Sequence, residues 1–581
     1  MFKILKYFKW HDWLGAVVVL FLTIAEVQCD LKMPEYMKSI ITSAQFGMDT
    51  VWQNGLIALG YVLASIAISI LVSFIASKIS SGLSKRLRKA VFEKVGTFSM
   101  AEINKFSTAS LITRSTNDIN QVQQVVTMML KLFLYAPIMA ISAIIKITNI
   151  NATLTWTTFG FIVVMFVFVG VIMLLSMRKF MLMQKQTDAL NNVARENLTG
   201  IRVVRANNAE AQQVAKFTQV NDQLTQTTLY TNRVSAIMFP GMQLIMNGLN
   251  LALYWIGASL ILNPEVAIDY LQISEFSQYA VQVLMSFLFV GMIFIMFPRG
   301  NISAKRILEV LNTTPSLQNG TIISTNNGVV GKVEFKNVCF KYPDAQEYVL
   351  KDISFVATSG QTVAFIGSTG SGKSTLINLV PRFYDCTQGE VLIDDENIKN
   401  YKFSALNNKL GYIPQKSLLF GGTVKENITY GKTDASDSDI QKALQVSQSA
   451  EFVKGLNGGL DFVVAQGGKN LSGGQKQRLS IARALVKKPE ILIFDDSFSA
   501  LDYKTDKALR LALKQEYQNT TKLIVAQRIG TILDADKIIV LDNGEMVGCG
   551  THSELMQTCE VYKQIALSQL SKEELKNGSQ Q

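Results

Sequence analysis

The sequence predicts two domains of different class on one chain: an all-α domain of six transmembrane helices, then an α/β domain carrying a phosphate loop (P-loop). Three observations predict it. Apolar runs of about 20 residues, long enough to cross a hydrocarbon core about 30 Å thick, gather before about residue 300. From Val333 onward, short β-rich runs alternate with helical stretches. A Gly-rich string, Gly367 to Thr375, lies between an apolar run of strand length and an apolar helical stretch.

The apolar runs lie near residues 14–33, 56–77, 130–149, 153–176, 236–262 and 277–297. The third and fourth are joined only by a few residues around Asn149, Ile150 and Asn151. An even number of crossings returns both termini to one side. Two long polar inserts, about 78–128 and 178–235, carry helical periodicity and clustered cations. Lys85, Arg86, Arg88 and Lys89 lie in the first, and Arg178, Lys179, Arg195, Arg202 and Arg205 in the second. Lys and Arg concentrate in cytoplasmic loops, so both inserts and both termini are expected in the cytoplasm, the inserts as extensions of the spans. The string from Phe2 to Trp10 mixes lysines with aromatics and reads as a short helix on the inner membrane surface. It does not read as a signal peptide, because no small-residue cleavage site follows its apolar run. Pro34 and Pro137, within or beside spans, predict kinks.

Lys and Arg exceed Asp and Glu by 56 to 45, giving a formal net charge of +11. In a soluble chain that excess would point to nucleic acid. Here the cations sit in the loops of a membrane domain, and no nucleic-acid partner is expected. Cys29, Cys339, Cys386, Cys549 and Cys559 are scattered and form no C-x-x-C pair, which predicts neither a disulfide framework nor a zinc site.

In the second half, Val363 to Ile366, Ile491 to Phe494 and Leu523 to Val525 are continuous apolar runs, as expected of strands buried on both faces of a parallel sheet. Asn543-Gly544 marks a late hairpin and therefore an antiparallel edge. Hydrophobicity falls after Pro298, Arg299 and Gly300, and Leu311 to Gly331 is rich in Asn, Thr, Ser and Gly. The expected division is a membrane domain over 1–310, a linker over 311–331, the α/β domain over 332–571 and a polar tail over 572–581.

Gly367, Ser368, Thr369, Gly370, Ser371, Gly372, Lys373, Ser374 and Thr375 follow the first of those strand-length runs. In such a loop glycines let backbone N–H groups converge on phosphate oxygens, the lysine supplies a point charge and the serine hydroxyl reaches Mg²⁺. Asp495 ends the run from Ile491, where a second magnesium-holding oxygen belongs. Leu471-Ser472-Gly473-Gly474-Gln475, between the two, would by itself be no more than a helix cap.

Together these strings resemble the ATP-binding cassette (ABC) family, and residues 333–571 resemble its cassette. The first half resembles the six-span exporter type, with Leu111 to Asp118 and Gly200 to Ala206 similar to its two cytoplasmic-loop patterns. The resemblance implies ATP and Mg²⁺ as ligands. It implies that Tyr342 stacks on adenine, that Gln415 reaches Mg²⁺ and links the cassette to the membrane domain, and that Ser499 to Asp502 form the D-loop. It also implies that two half-transporter chains pair head to tail. Each ATP then lies between one chain's phosphate loop and the other's Ser472, Gly473, Gly474 and Gln475.

Two positions depart from the family pattern. Asp496 stands where a Glu orients the attacking water, and Gln527 stands where a switch His contacts the γ-phosphate. His11 and His552, the only histidines, lie elsewhere. An Asp is shorter by roughly 1 to 1.5 Å, and a displacement near 1 Å costs on the order of 10²-fold in rate. Glutamine neither carries the positive charge nor passes the proton that imidazole does. Asp496, Gln527 and Lys373 are thus the catalytic candidates of a site expected to bind MgATP and turn it over slowly.

The expected function is one subunit of a heterodimeric multidrug exporter for hydrophobic or amphipathic compounds, embedded in the lipid bilayer of a bacterial plasma membrane. An ATP-gated channel or regulatory subunit, and a homodimeric lipid or peptide exporter, are the alternatives. Glu26 and Asp30 lie in or near the end of the first span, where acids are costly and functional by default. They face the cavity and favour cationic substrates, or pair with Lys131 or Gln-rich neighbours, or lie near the outer surface; the sequence leaves this open.

Overall fold

The computed structural model describes residues 1–262, 268–324 and 328–569. The expected polar tail, 572–581, lies outside the described residues, as do 325–327 of the expected linker and 570–571 of the α/β domain. The chain divides into two compact units, one of Met1–Lys94 with Ala109–Thr313 and the other of Val95–Thr108 with Thr314–Gln581.

Among the described residues six helices are long and apolar enough to cross a membrane: Trp10–Ser43, Met48–Val95, Thr108–Thr148, Ala152–Thr199, Glu210–Ile261 and Tyr270–Asn312. Each covers one of the expected runs to within a residue and is longer than it, the third and fifth stopping one residue short of the run's end. Hydropathy ends where lipid would end, whereas a helix continues on polar residues. In detail they are α1 (Trp10–Ser43), α2 (Met48–Val95), then the short α3 (Met100–Phe106), α4 (Thr108–Ser115), α5 (Asn117–Thr148), α6 (Ala152–Thr199), α7 (Ile201–Ala206), α8 (Glu210–Ala236), α9 (Met238–Ile261) and α10 (Tyr270–Asn312). Phe2–Tyr7 forms a 3₁₀ helix ahead of α1. Pro34, Pro137 and Pro298 lie inside α1, α5 and α10, where each removes one donor from the helix ladder.

The inner faces of α1, α5, α6, α9 and α10 share one apolar core, which includes Val27, Leu31, Leu249, Leu253, Phe276 and Leu284. Tyr279 of α10 is fully buried there and donates its hydroxyl to the Leu31 carbonyl at 3.0 Å. Helices α5 and α10 meet at a glycine, since a Cβ on Gly300 would lie 2.7 Å from Cγ2 of Val125. Outer faces are apolar too, with Leu174 73% and Trp255 77% exposed, as suits helices that face lipid.

The second unit contains β1 (Val333–Phe340), β2 (Leu350–Ala357), β3 (Thr362–Gly367), α11 (Lys373–Leu379), β4 (Gln388–Ile393), β5 (Glu396–Asn397), α12 (Phe403–Lys409) and β6 (Leu410–Ile413). There follow β7 (Gly422–Thr423), α13 (Val424–Ile428), α14 (Asp437–Val446), α15 (Ala450–Gly455), β8 (Val463–Val464), α16 (Gly473–Leu485) and β9 (Ile491–Asp495). The unit closes with α17 (Tyr503–Glu516), β10 (Thr521–Val525), β11 (Lys537–Asp542), β12 (Glu545–Gly550), α18 (His552–Thr558) and α19 (Glu560–Gln569).

The main sheet runs β12-β11-β3-β10-β9-β6, parallel except for the β11/β12 hairpin at one edge. All residues of β9 and β10 are buried, the apolar runs Ile491 to Phe494 and Leu523 to Val525 together with Asp495, Thr521 and Lys522 at their ends. At the hairpin, Asn543 and Gly544 both take positive φ, 46° and 83°, which matches the twist of the flanking strands. An antiparallel sheet, β2-β1-β4-β5, adjoins the phosphate-loop side.

Strand β10 lies between β3 and β9, with Val525 opposite both Phe365 and Asp495. The carboxyl ends of three neighbouring strands therefore deliver Gly367, Asp495 and the chain leading to Gln527 to one edge of the sheet, where ligands of open α/β sheets bind.

The insert 78–128 is interrupted where the sequence predicted plain extensions of the spans. Ser99 caps α3 in a reciprocal box with Glu102, and Ser107, at φ 59°, ends it. This short segment groups with the α/β unit, where the Asn104 amide donates to the Tyr384 hydroxyl at 3.0 Å.

Candidate functional site

The loop from Gly367 to Thr375 needs its glycines for specific reasons. Gly367 has no room for a side chain, because a Cβ would lie 2.0 Å from the Leu541 carbonyl oxygen. Gly372 starts α11 at φ 95°, in the left-handed region where a side chain is strained. Lys373 then folds back over the loop, its Nζ donating to the carbonyls of Gly367 at 3.0 Å and Ser368 at 2.6 Å and to Ser371 Oγ at 3.2 Å. Burial pushes its ammonium below the ordinary lysine range, while Asp496 and Asp495 pull it back up. The lysine Nζ thus lies against the loop's own acceptors, where a phosphate would be bound.

Ser374 donates from Oγ to Oδ1 of Asp495 at 2.7 Å. Asp495 is 5% exposed, and burial raises its carboxyl above the usual range, with the neighbouring Asp496 adding to the rise and Ser374, Lys373 and Tyr412 opposing it. A serine hydroxyl and a buried carboxylate form a hard oxygen pair. Such a pair suits Mg²⁺, which takes one or two protein oxygens and fills its octahedron with phosphate and water.

Gln415, just past β6, and Gln527, just past β10, converge on one atom. Gln527 Nε2 donates to Oδ2 of Asp496 at 2.7 Å and Gln415 Nε2 to the same oxygen at 3.2 Å. Asp496 itself sits at φ 47°, a left-handed conformation in which Asp is enriched among non-glycine residues. Its backbone N–H donates to the Val525 carbonyl at 3.1 Å, and its carbonyl accepts from Ser499 Oγ at 2.8 Å.

Tyr342 packs edge to face against Phe340 and Tyr384, with centroids 5.0 and 5.3 Å away, and its hydroxyl lies 3.0 Å from Thr375 Oγ1. That bond ties the aromatic to the end of the phosphate loop.

The remaining expected site residues open another helix, α16. Ser472 caps α16 and forms a reciprocal box with Gln475, its N–H donating to Gln475 Oε1 at 2.9 Å and its Oγ accepting from the Gln475 N–H at 3.3 Å. Gly473 and Gly474 open that helix. Among the described residues no hydrogen bond joins Ser472 to Gln475 with this chain's own phosphate loop.

Two contacts had no signal in the sequence. Gln569, at the end of α19, donates to the Gln527 carbonyl at 2.8 Å and accepts from the Ile529 N–H at 2.8 Å, so the last described helix pins the segment that follows β10. Ser417 donates to Oε1 of Gln477 at 2.5 Å, joining the Gln415 loop to α16.

Comparison with known proteins agrees with this layout. Residues 17–287 match the family model described as the ABC transporter transmembrane region, and residues 350–499 match the one described as ABC transporter. The chain is 36% identical over 577 residues to the uncharacterized ABC transporter ATP-binding protein YfiB of Bacillus subtilis, covering 99% of each. It is 39% identical over 487 residues to an uncharacterized ABC transporter ATP-binding protein of Mycobacterium tuberculosis, covering 83% of each. A solved bacterial Atm1-family ABC exporter with ATP bound has the same fold, with a TM-score of 0.80 and 24% identity over 97% of this chain and 98% of that one. With six membrane-length helices matching one half of the family, a phosphate-loop sheet matching the other, and relatives aligned nearly end to end, the chain belongs to the ABC transporters and has their exporter fold.

Proposed function

We propose that this chain is one subunit of a heterodimeric exporter that carries hydrophobic or amphipathic compounds out across the plasma membrane, and that its own ATP site holds MgATP and hydrolyses it slowly. The observation that carries the second part is the double amide contact on Asp496. Oδ2 accepts from both Gln527 and Gln415, which fixes the carboxylate and leaves only Oδ1 to take a proton from an attacking water. Gln527 brings no positive charge toward the γ-phosphate, and Asp496 is one methylene shorter than the glutamate that would reach the water.

Binding is a different matter, and the geometry of the phosphate loop supports it. In this reading the backbone from Gly367 to Gly372 and Lys373 hold the phosphates, Thr375 and Tyr342 bound the adenine side, and Ser374, Asp495 and Gln415 hold Mg²⁺. When bound, the metal neutralises the charge that builds on the phosphates. Among the described residues Ser472, Gly473, Gly474 and Gln475 make no hydrogen bond to this chain's phosphate loop, which supports their role in completing the ATP site of a second half-transporter. That second chain would carry the Glu and the His that this one lacks.

The membrane domain is placed over 1–310 and the nucleotide domain over 332–571, joined by 311–331. The cations of the two polar inserts support a cytoplasmic position for both termini and for the nucleotide domain. Steady-state ATP turnover by the purified chain alone tests the reading. Turnover on the order of 10²-fold below that of the complex with its partner supports it, and turnover by the lone chain equal to the complex overturns it.

A further inference from the structure

The 3₁₀ helix at the start of the chain, Phe2–Tyr7, is fastened to three helices of the membrane unit. Its Ile4 is fully buried, and the terminal ammonium of Met1 donates to Asn301 Oδ1 of α10 at 2.6 Å. Arg86 of α2 donates from Nε to the Tyr7 carbonyl at 2.9 Å and pairs with Asp12 of α1. The segment is therefore a fixed wall.

Between this wall, α1 and α5 lies a groove of about 290 Å³. Leu5 and Phe8 of the segment, Val17 and Leu20 of α1, and Met129 and Phe133 of α5 line it, and the rest of its side chains are apolar too. Phe8 stands against Trp13, ring centroids 5.5 Å apart, which holds both rings in the lining. Val17 and Phe133 are half exposed, so the groove opens on a face that lipid covers. Its volume is at the lower end of small-molecule sites, roughly 300 to 1,000 Å³, and suits one hydrocarbon chain.

The second observation is charge. Lys3 and Lys6 are three apart in a helix of three residues per turn, so they share one edge of it, and Lys9 follows where α1 begins. All three are exposed, and none forms an ion pair among the described residues. Asp12, the first acid of the chain, is already engaged, pairing with Arg86 and accepting from the Lys9 N–H at 2.8 Å. Three ammonium groups without a counter-charge thus stand beside an apolar groove at the start of a span. Trp10 and Trp13 mark this as the level where headgroups meet hydrocarbon.

We propose that Phe2–Tyr7, α1 and α5 form a site for one anionic phospholipid, its phosphate against Lys3, Lys6 and Lys9 and one acyl chain in the groove. An uncharged solute or an apolar helix of another chain would leave the lysines without a counter-charge, and free phosphate would leave the groove in water. Chain and charges act together, as membrane attachment needs two signals to be firm. The site depends neither on the exported compound nor on the partner subunit.

The test is native mass spectrometry of the full-length chain, with whatever subunit co-purifies, delipidated in detergent. It is titrated with phosphatidylglycerol or with phosphatidylcholine of the same acyl chains. One phosphatidylglycerol is expected to bind saturably for each copy of this chain, at least about 10-fold tighter than phosphatidylcholine. Lys3→Gln and Lys6→Gln are each expected to weaken phosphatidylglycerol about 5-fold, the worth of one basic residue at a membrane surface, and to leave phosphatidylcholine unchanged. Lys85→Gln with Lys89→Gln, a loss of charge at exposed positions of α2, is expected to change neither. Ala16→Phe fills the groove and weakens both lipids. Glycerophosphoglycerol, the headgroup without chains, is expected not to compete, a readout that needs no variant. Equal losses in the Lys85 and Lys89 variant would mean diffuse attraction and overturn the site. Unchanged binding in Ala16→Phe, competition by the bare headgroup, or equal affinity for the two lipids would overturn it as well.

Discussion

Gln527 donates to Oδ2 of Asp496 at 2.7 Å, closing from the end of β10 a contact that Gln415 makes from the end of β6 at 3.2 Å. The carboxylate beside the phosphate loop is therefore engaged with two amides, neither of which relays a proton. Replacing both departures, Asp496→Glu with Gln527→His, is expected to raise this site's ATP turnover by on the order of 10²-fold. Single-turnover hydrolysis by the chain with its partner's site blocked checks this. Asp496→Glu carries a backbone cost at the left-handed φ of 47°, so the gain comes with a slightly lower melting temperature.

The Ser374–Asp495 pair predicts a metal-linked effect. Asp495→Asn is expected to weaken nucleotide binding about 10- to 100-fold in the presence of Mg²⁺, as loss of a charge-assisted contact does. Binding of metal-free ATP should change little. Isothermal titration with and without chelator separates the two.

Asp495 also sets a pH dependence. Its carboxyl is raised above the ordinary 3.8, chiefly by burial. The folded state then binds more protons than the unfolded one as pH rises from 3.8 to the raised value, so stability falls across that window and stays lower above it. Without Mg²⁺, Asp495→Asn should melt higher than the parent at neutral pH, with the difference vanishing in acid. Added MgATP should reverse the order. Thermal melts in two pH ranges read this directly.

His552 gives the opposite sign. Burial holds its imidazole below the ordinary 6.5, and its Nδ1 lies 2.7 Å from the hydroxyl of the buried Tyr562. Below pH 6.5 the unfolded chain takes up a proton that the folded one resists, so stability falls with falling pH until the lowered value is reached. His552→Phe should flatten that slope, as followed by melting between pH 5 and pH 8.

Tyr342 predicts a nucleotide-affinity effect without a rate effect. Tyr342→Ala should weaken ATP about 3- to 10-fold and Tyr342→Trp should retain it, as an aromatic contact of about 0.5–1.5 kcal/mol implies. Fluorescent-nucleotide binding measures it.

Much of the fold was legible because the physics is local. The phosphate loop needs glycine where a Cβ would strike Leu541 or force a left-handed backbone, so it announces itself by spacing. Buried parallel strands show as unbroken apolar runs, and Asn543-Gly544 shows as a turn. The helix ends were not legible: α1 runs from Trp10 to Ser43 although its hydropathy signal covers only 14–33. The break at Ser99 carried a signal, since Ser99 and Glu102 have capping-box spacing, but the surrounding periodicity outweighs it. Gln569 on Gln527 had none, because the contact spans 42 residues and a glutamine at the end of a polar helix is ordinary. Ser65 and Tyr135 on Asp30 were hidden for the same reason, three helices being needed to bring them together.

The most direct test of the central claim, that this chain supplies the slow half of an asymmetric pair, is the mass and composition of the complex taken in mild detergent from the cells that make it. The account predicts a stoichiometric second ABC chain carrying Glu and His at the two positions where this one has Asp496 and Gln527. A complex containing only copies of this chain, active in ATP hydrolysis, would contradict it.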